Sequence, residues 1–196
     1  MAVFAGTHGV ANGLDAVLEA AALLKQRRRD DIRLVLIGQG KCKPALIAQA
    51  RSFGLDNVVF HDPVDKARMA GLLASADLGL QILADVPAFY YGTSPNKFFD
   101  YIAAGLPVLN NYPGWLAELI TEHGCGFAVP PGDPAALADA LEQAADHRDH
   151  LAEMGAHAKV LAAGQFDRER LADRFVEWLE GTLEGKRIQV RASDAG

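Results

Sequence analysis

Six short aliphatic runs punctuate this chain, and helix-length segments separate them. The runs cover residues 2–6, 32–37, 58–60, 77–83, 107–109 and 126–129. Several are apolar at nearly every position, as Val35-Leu36-Ile37 is, instead of alternating apolar with polar. That pattern marks strands covered on both faces. The intervening segments place apolar residues at helical spacing. Leu14, Val17, Leu18, Ala21 and Leu24 do so first, and residues 44–53 do so next, with Leu46, Ile47 and Ala50 inward. Asp65 is placed to cap a third helix, and Asp133-Pro134 to start another over 134–145. Short strands joined by helical crossovers can only pair in parallel.

Right-handed crossovers then give one α/β domain. It is a Rossmann-like, doubly wound parallel sheet of about six strands, with helices on both faces and further helices at the C-terminus. Those C-terminal helices are expected over 150–163 and 167–179, the last with Leu171, Phe175 and Trp178 along one side. Residues 1–181 form the domain, and residues 182–196 lack periodicity and read as a flexible tail.

Composition narrows the function. Half of the 196 residues are hydrophobic, enough for one sizeable core. The formal charge of −6 argues against a nucleic-acid partner, which needs a basic face. The one basic run, Arg27-Arg28-Arg29, falls at a helix end, where cations complement the dipole. Cys42 and Cys125 make neither a disulfide framework nor a zinc pattern, and they fit a reducing, cytoplasmic setting. No apolar run nears the roughly 18 residues of a membrane helix. The chain opens directly on a strand, as an excised fragment with a domain or signal upstream would.

Ligands of such sheets bind beyond the carboxyl ends of the strands. Each unusual loop falls there. The first runs through Gly6, Thr7, His8, Gly9 and Asn12 to Gly13, and its glycines permit close backbone approach to a diphosphate. Its spacing is neither the dinucleotide fingerprint nor a P-loop. Gly38 and Gly40 form a second glycine turn, either a helix lead-in or a lining of the same pocket. The third feature is Ser94-Pro95-Asn96-Lys97, which leads into a helix bearing Asp100. Here Ser94 is the expected cap and Pro95 the first helical residue. The helix amides and Lys97 suit a phosphate, and Asp100 suits ribose hydroxyls. The plainer reading of Lys97 and Asp100 is a surface ion pair. Phe89, Tyr90 and Tyr91 form an aromatic cluster that can stack on a sugar or pack against another domain. His147 and His150 read as solvated surface.

Taken in order, Ala5-Gly6-Thr7, Leu36-Ile37-Gly38-Gln39-Gly40, Val59-Phe60-His61, Ala76-Asp77-Leu78-Gly79-Leu80, Ser94–Lys97 through Gly105-Leu106-Pro107-Val108, and Gly124-Cys125-Gly126-Phe127 resemble the C-terminal domain of retaining GT-B glycosyltransferases of the group 1 type. The likeness spans about residues 2–179. It implies a nucleotide-sugar donor-binding half, with UDP the expected nucleotide. It also implies an N-terminal acceptor-binding domain absent from this chain, and a glycan or lipid-linked glycan as acceptor. No metal is implied. The activity expected of the whole enzyme is transfer with retention, in surface polysaccharide or lipopolysaccharide synthesis, at the cytoplasmic face of the inner membrane.

By position, the ribose-binding glutamate of the family corresponds to Asp100. The glutamate that touches the donor sugar corresponds to Gly92, and the basic pair of the first loop to Thr7 and Asn12. Lys97 is then expected to supply the missing charge and to stabilise the leaving diphosphate. The rival readings are a nucleotide-sugar epimerase on the same architecture and a non-catalytic binding module. A receiver domain is disfavoured, because Gly6-Thr7 stands where its acidic cluster would be.

Overall fold

The computed structural model describes residues 1–183. The expected tail therefore lies almost wholly outside the described residues. Six strands form one parallel sheet: β1 (Ala2–Ala5), β2 (Leu34–Ile37), β3 (Val58–His61), β4 (Leu78–Gln81), β5 (Val108–Asn110) and β6 (Gly126–Ala128). Their spatial order is β3-β2-β1-β4-β5-β6. The chain moves outward from β1 to β3, then returns to the other side of β1 for β4. The β1–β4 boundary is therefore where the strand order reverses, and loops leaving these two strands diverge to leave a crevice.

The helices are α1 (Asp15–Gln26), α2 (Lys43–Ser52), α3 (Lys66–Ser75), α4 (Pro87–Tyr90), α5 (Asn96–Ala104), α6 (Trp115–Glu122), α7 (Pro134–Asp146), α8 (Arg148–Gln165) and α9 (Arg168–Leu183). A 3-10 turn, Val10–Asn12, precedes α1. Asp65 and Asp133 cap their helices as expected, accepting from the amides of Arg68 at 2.8 Å and Ala136 at 2.9 Å. The segment expected as one long loop contains α4, and α8 begins two residues earlier than its apolar pattern suggests.

Two cores cover the sheet. Phe4, Leu36 and Leu80 face α1, α2 and α7 through Leu18, Leu46 and Leu141. Val3, Ile37 and Val108 face the other layer through Phe98, Tyr101, Ile120 and Ala158. Each fully buried Leu, Ile or Phe contributes about 1.5–3 kcal/mol. The arginine run is a structural fastening. Arg27 donates to Asp139 and Glu142 at 2.6 Å each, and Arg29 to Asp31 and Asp146, joining the end of α1 to α7. His147 and His150 are exposed. On α9, Leu171, Phe175 and Trp178 share a side but remain 43%, 59% and 44% exposed, with the two rings stacked at 6.0 Å.

Candidate functional site

The first loop leaves β1 at the strand-order reversal and is held from two sides, by the turn after β2 and the loop after β4. Its Gly6 N–H donates to Ile37 O, its His8 N–H to Gln39 O, and its Ala11 carbonyl accepts from Ala84 N–H at 3.0 Å. The second glycine turn lies directly against it. A Cβ on Gly38 would stand 1.8 Å from Gly6 O, and one on Gly40 would stand 2.5 Å from His8 O. Gly38 also has φ +150°, a conformation that side chains rarely adopt. These two glycines permit close approach of two backbone segments. The second turn thus supports the first loop, a role that neither expected reading included.

Lys43 staples this arrangement from below. Its ammonium donates to Gly38 O at 2.8 Å, His61 O at 2.9 Å and Asp62 Oδ1 at 2.7 Å. Asp62 is held below the usual carboxylate range by that hydrogen bond and by the charge of Lys43.

Lys97 reaches the same loop from α5. Its Nζ donates to Asn12 Oδ1 at 3.1 Å and lies 4.5 Å from the centroid of the Phe4 ring. A Cβ on Gly6 would stand 3.3 Å from Lys97 Cε, so the loop and the lysine stem are in contact. Among the described residues, no carboxylate lies within ion-pair distance of Lys97. Burial pushes its amine down to about 8. The alternative reading as an ion pair with Asp100 is therefore absent from the structure. Asp100 sits one turn along α5 with its side chain exposed.

Tyr101 fixes α5 in place. It is fully buried, accepts from Ala5 N–H at 2.9 Å and donates to Leu80 O at 3.4 Å, so one hydroxyl ties α5 to both β1 and β4. Its ring lies over Gly79, where a Cβ would come within 2.5 Å of it. The glycine inside β4 was the sequence signal for this close approach.

The start of α5 differs from expectation. Pro95, with φ −82° and ψ 121°, occupies the cap position, and Ser94 is not the cap. The Pro95 carbonyl accepts from Phe98 N–H at 3.1 Å, so the first helical residue is Asn96, not Pro95. The residue before a proline is driven toward extended backbone, which moves Ser94 out of reach. No side chain caps this end, and the amides of Asn96 and Lys97 keep their partial positive charge.

His8 is the other departure. Its ring is fully buried between Phe4 and Phe60, 6.1 Å from each ring centroid, and it presents no side-chain atom to solvent. Thr7 is exposed, and Asn12 Nδ2 donates to its carbonyl at 2.7 Å. Gly13 has φ +52° and packs on Ala84. Of the aromatic cluster, Tyr91 is 72% exposed, whereas Tyr90 is buried, stacks on Tyr112 at 6.4 Å and donates to Asp85. A Cβ at Gly92 would meet nothing within 4 Å, so packing does not forbid a side chain there. Asn111 went unnoticed in the sequence. It clamps Leu83 with two hydrogen bonds, 2.8 and 2.9 Å, and so fixes where the loop after β4 departs.

The geometry thus gathers glycine backbone, a cation without an anionic partner among the described residues, and uncapped helix amides at the crevice beside β1 and β4. Such a set binds a phosphate or diphosphate and stabilises negative charge developing on it.

Comparison with known proteins agrees with that architecture. Residues 1–147 match the family described as Glycosyl transferases group 1, and the chain belongs to that family. It is 28% identical over 158 residues to the D-rhamnosyltransferase WbpZ of Pseudomonas aeruginosa, covering 80% of this chain and 39% of the relative. It is 30% identical over 188 residues to the D-inositol 3-phosphate glycosyltransferase of Xylanimonas cellulosilytica, covering 91% and 39%. The chain therefore spans about two-fifths of the length of these relatives. Among solved structures, Anabaena Alr3699/HepE in complex with UDP superposes with a TM-score of 0.77 at 19% identity, over 92% of this chain and 48% of that one. WaaG, a glycosyltransferase involved in lipopolysaccharide biosynthesis, superposes at 0.69 with 25% identity, over 84% and 42%. Among the described residues, no helix is long and apolar enough to cross a membrane.

Proposed function

We propose that this chain is the nucleotide-sugar donor-binding half of a glycosyltransferase, acting with retention on a UDP-sugar in surface polysaccharide or lipopolysaccharide synthesis. The observation that carries the reading is Lys97, a half-buried ammonium with no carboxylate partner among the described residues, held against the glycine loop where the strand order reverses. Lys97 and the amides of Asn96 and Lys97 take the diphosphate. Gly6, Thr7, Gly9 and Gly13 shape the loop around it. Asp100 accepts the ribose hydroxyls. As the bond to the sugar breaks, charge builds on the departing diphosphate, and Lys97 stabilises it there. The acceptor, a glycan or lipid-linked glycan, belongs to a second domain facing this sheet edge. The reaction runs at the cytoplasmic face of the membrane.

Asp100 provides the test. A carboxylate bonded to both ribose hydroxyls makes UDP bind more tightly than 2′-deoxy-UDP, by roughly ten-fold for one charged hydrogen bond. Calorimetric titration should show that preference in the wild type, and Asp100→Ala should erase it by weakening UDP more than 2′-deoxy-UDP, which keeps only the 3′-hydroxyl bond to lose. Equal affinity of wild type and Asp100→Ala for UDP would remove Asp100 from the site.

A further inference from the structure

We propose that His8 is a pH-sensitive positioning residue, whose buried neutral imidazole holds the first loop so that Asn12 is presented to Lys97. The inference rests on the reading of Lys97 as the diphosphate cation. His8 is 0% exposed, and neither Nδ1 nor Nε2 has a hydrogen-bond partner among the described residues. A purely structural plug between Phe4 and Phe60 needs no nitrogen atoms. Two unpartnered ring nitrogens carry a desolvation cost that an apolar ring would avoid.

The coupling to the site runs through consecutive bonds. The His8 N–H donates to Gln39 O at 3.0 Å, and its carbonyl accepts from Cys42 N–H at 2.9 Å, so residue 8 is clamped at backbone and ring alike. The adjacent Thr7 carbonyl accepts from Asn12 Nδ2 at 2.7 Å. Asn12 Oδ1 then accepts from Lys97 Nζ. Withdrawal of the His8 ring frees Thr7, and with it the amide that orients the lysine.

Protonation would force that withdrawal. An imidazolium in this slot carries two N–H donors with no acceptor and faces the Lys43 ammonium on α2. Lys43 is itself bonded to Asp62, which follows β3. Cys42 and His61 flank the same turn, and Lys97 lies across the Phe4 ring. Burial, then the charge of Lys43, lowers the affinity of the His8 ring for a proton. The open loop takes up the proton first, so the latch is complete above the ordinary imidazole range near 6.5 and weakens as pH falls through it.

Hydrogen exchange of the unliganded chain tests the latch without any nucleotide. After correction for intrinsic rates, protection of residues 6–13 should fall by up to about ten-fold between about pH 7.5 and about pH 5.5, the limit for one proton taken up near 6.5, while α5 stays protected. His8→Phe, whose ring suits the same aromatic slot, should show no such difference. It should also lose the part of the acid-side decline in UDP affinity that the wild type shows. Equal wild-type protection at both pH values, or the same decline in His8→Phe, would overturn the proposal. If His8→Phe fails to fold, NMR titration of the wild-type ring decides. A ring that resists protonation until the loop opens supports the latch, and an ordinary imidazole titration in the closed state contradicts it. Failure of UDP to bind at any pH would instead defeat the reading of the site and leave the exchange result standing.

Discussion

Lys97→Met lowers UDP affinity by roughly 10- to 100-fold, the loss expected when a charged hydrogen bond to phosphate is removed. Methionine keeps the apolar stem that lies against Gly6 and Phe4 and removes only the ammonium. A melting temperature near that of the wild type therefore accompanies the loss. In the wild type the affinity carries a pH signature. Burial brings the Lys97 amine down to about 8, so the free protein loses this charge as pH rises through that value. A bound diphosphate favours the charged form. Lys97 therefore leaves affinity level from about pH 8 down to the range where the His8 latch weakens, and makes it decline above about pH 8. Lys97→Arg, whose guanidinium stays charged, lacks the alkaline decline. Calorimetry across that range reads the wild type and both variants, and an unchanged affinity in Lys97→Met would remove the lysine from the site.

Gly38→Ala destabilises the chain by about 3 kcal/mol or more, measured as a lowered urea midpoint. Two effects add. The backbone stands at φ +150°, and the new methyl would meet the Gly6 carbonyl 1.8 Å away. That oxygen belongs to backbone and cannot rotate aside. Relief of the collision must shift either the first loop or the turn that Lys43 staples, and both support the contact with Lys97. UDP binding therefore falls with stability in this variant. A loss below about 1 kcal/mol would mean that the two loops do not pack as described.

The sheet was legible because its signal is dense. Runs such as Leu34–Ile37 are apolar throughout, and each is followed by helical spacing, so strand number and parallel pairing follow from local pattern. The Ser94 cap was misread because a serine before a proline scores as a cap and a helix start alike, while the proline itself took the cap position. His8 stood in a glycine loop and was counted with the donor-binding residues. Nothing local reveals that Phe4 and Phe60, far apart in sequence, close over its ring. Lys43 and Tyr101 were hidden for the same reason, since their partners lie on other strands. The Gly6–Lys97 contact joins two motifs about ninety residues apart, which only the crossing from β1 to β4 brings together.

A crystal structure of this chain with UDP bears most directly on the central claim. The account predicts the diphosphate between the first loop and the start of α5, within hydrogen-bond distance of Lys97 Nζ and the amides of Asn96 and Lys97, with the ribose toward Asp100. Another concavity exists at the opposite end of the strands, about 400 Å³ in volume, bordered by Asp77, Gly105, Arg148 and Lys159. Density for the diphosphate there, with Lys97 untouched, would contradict the account.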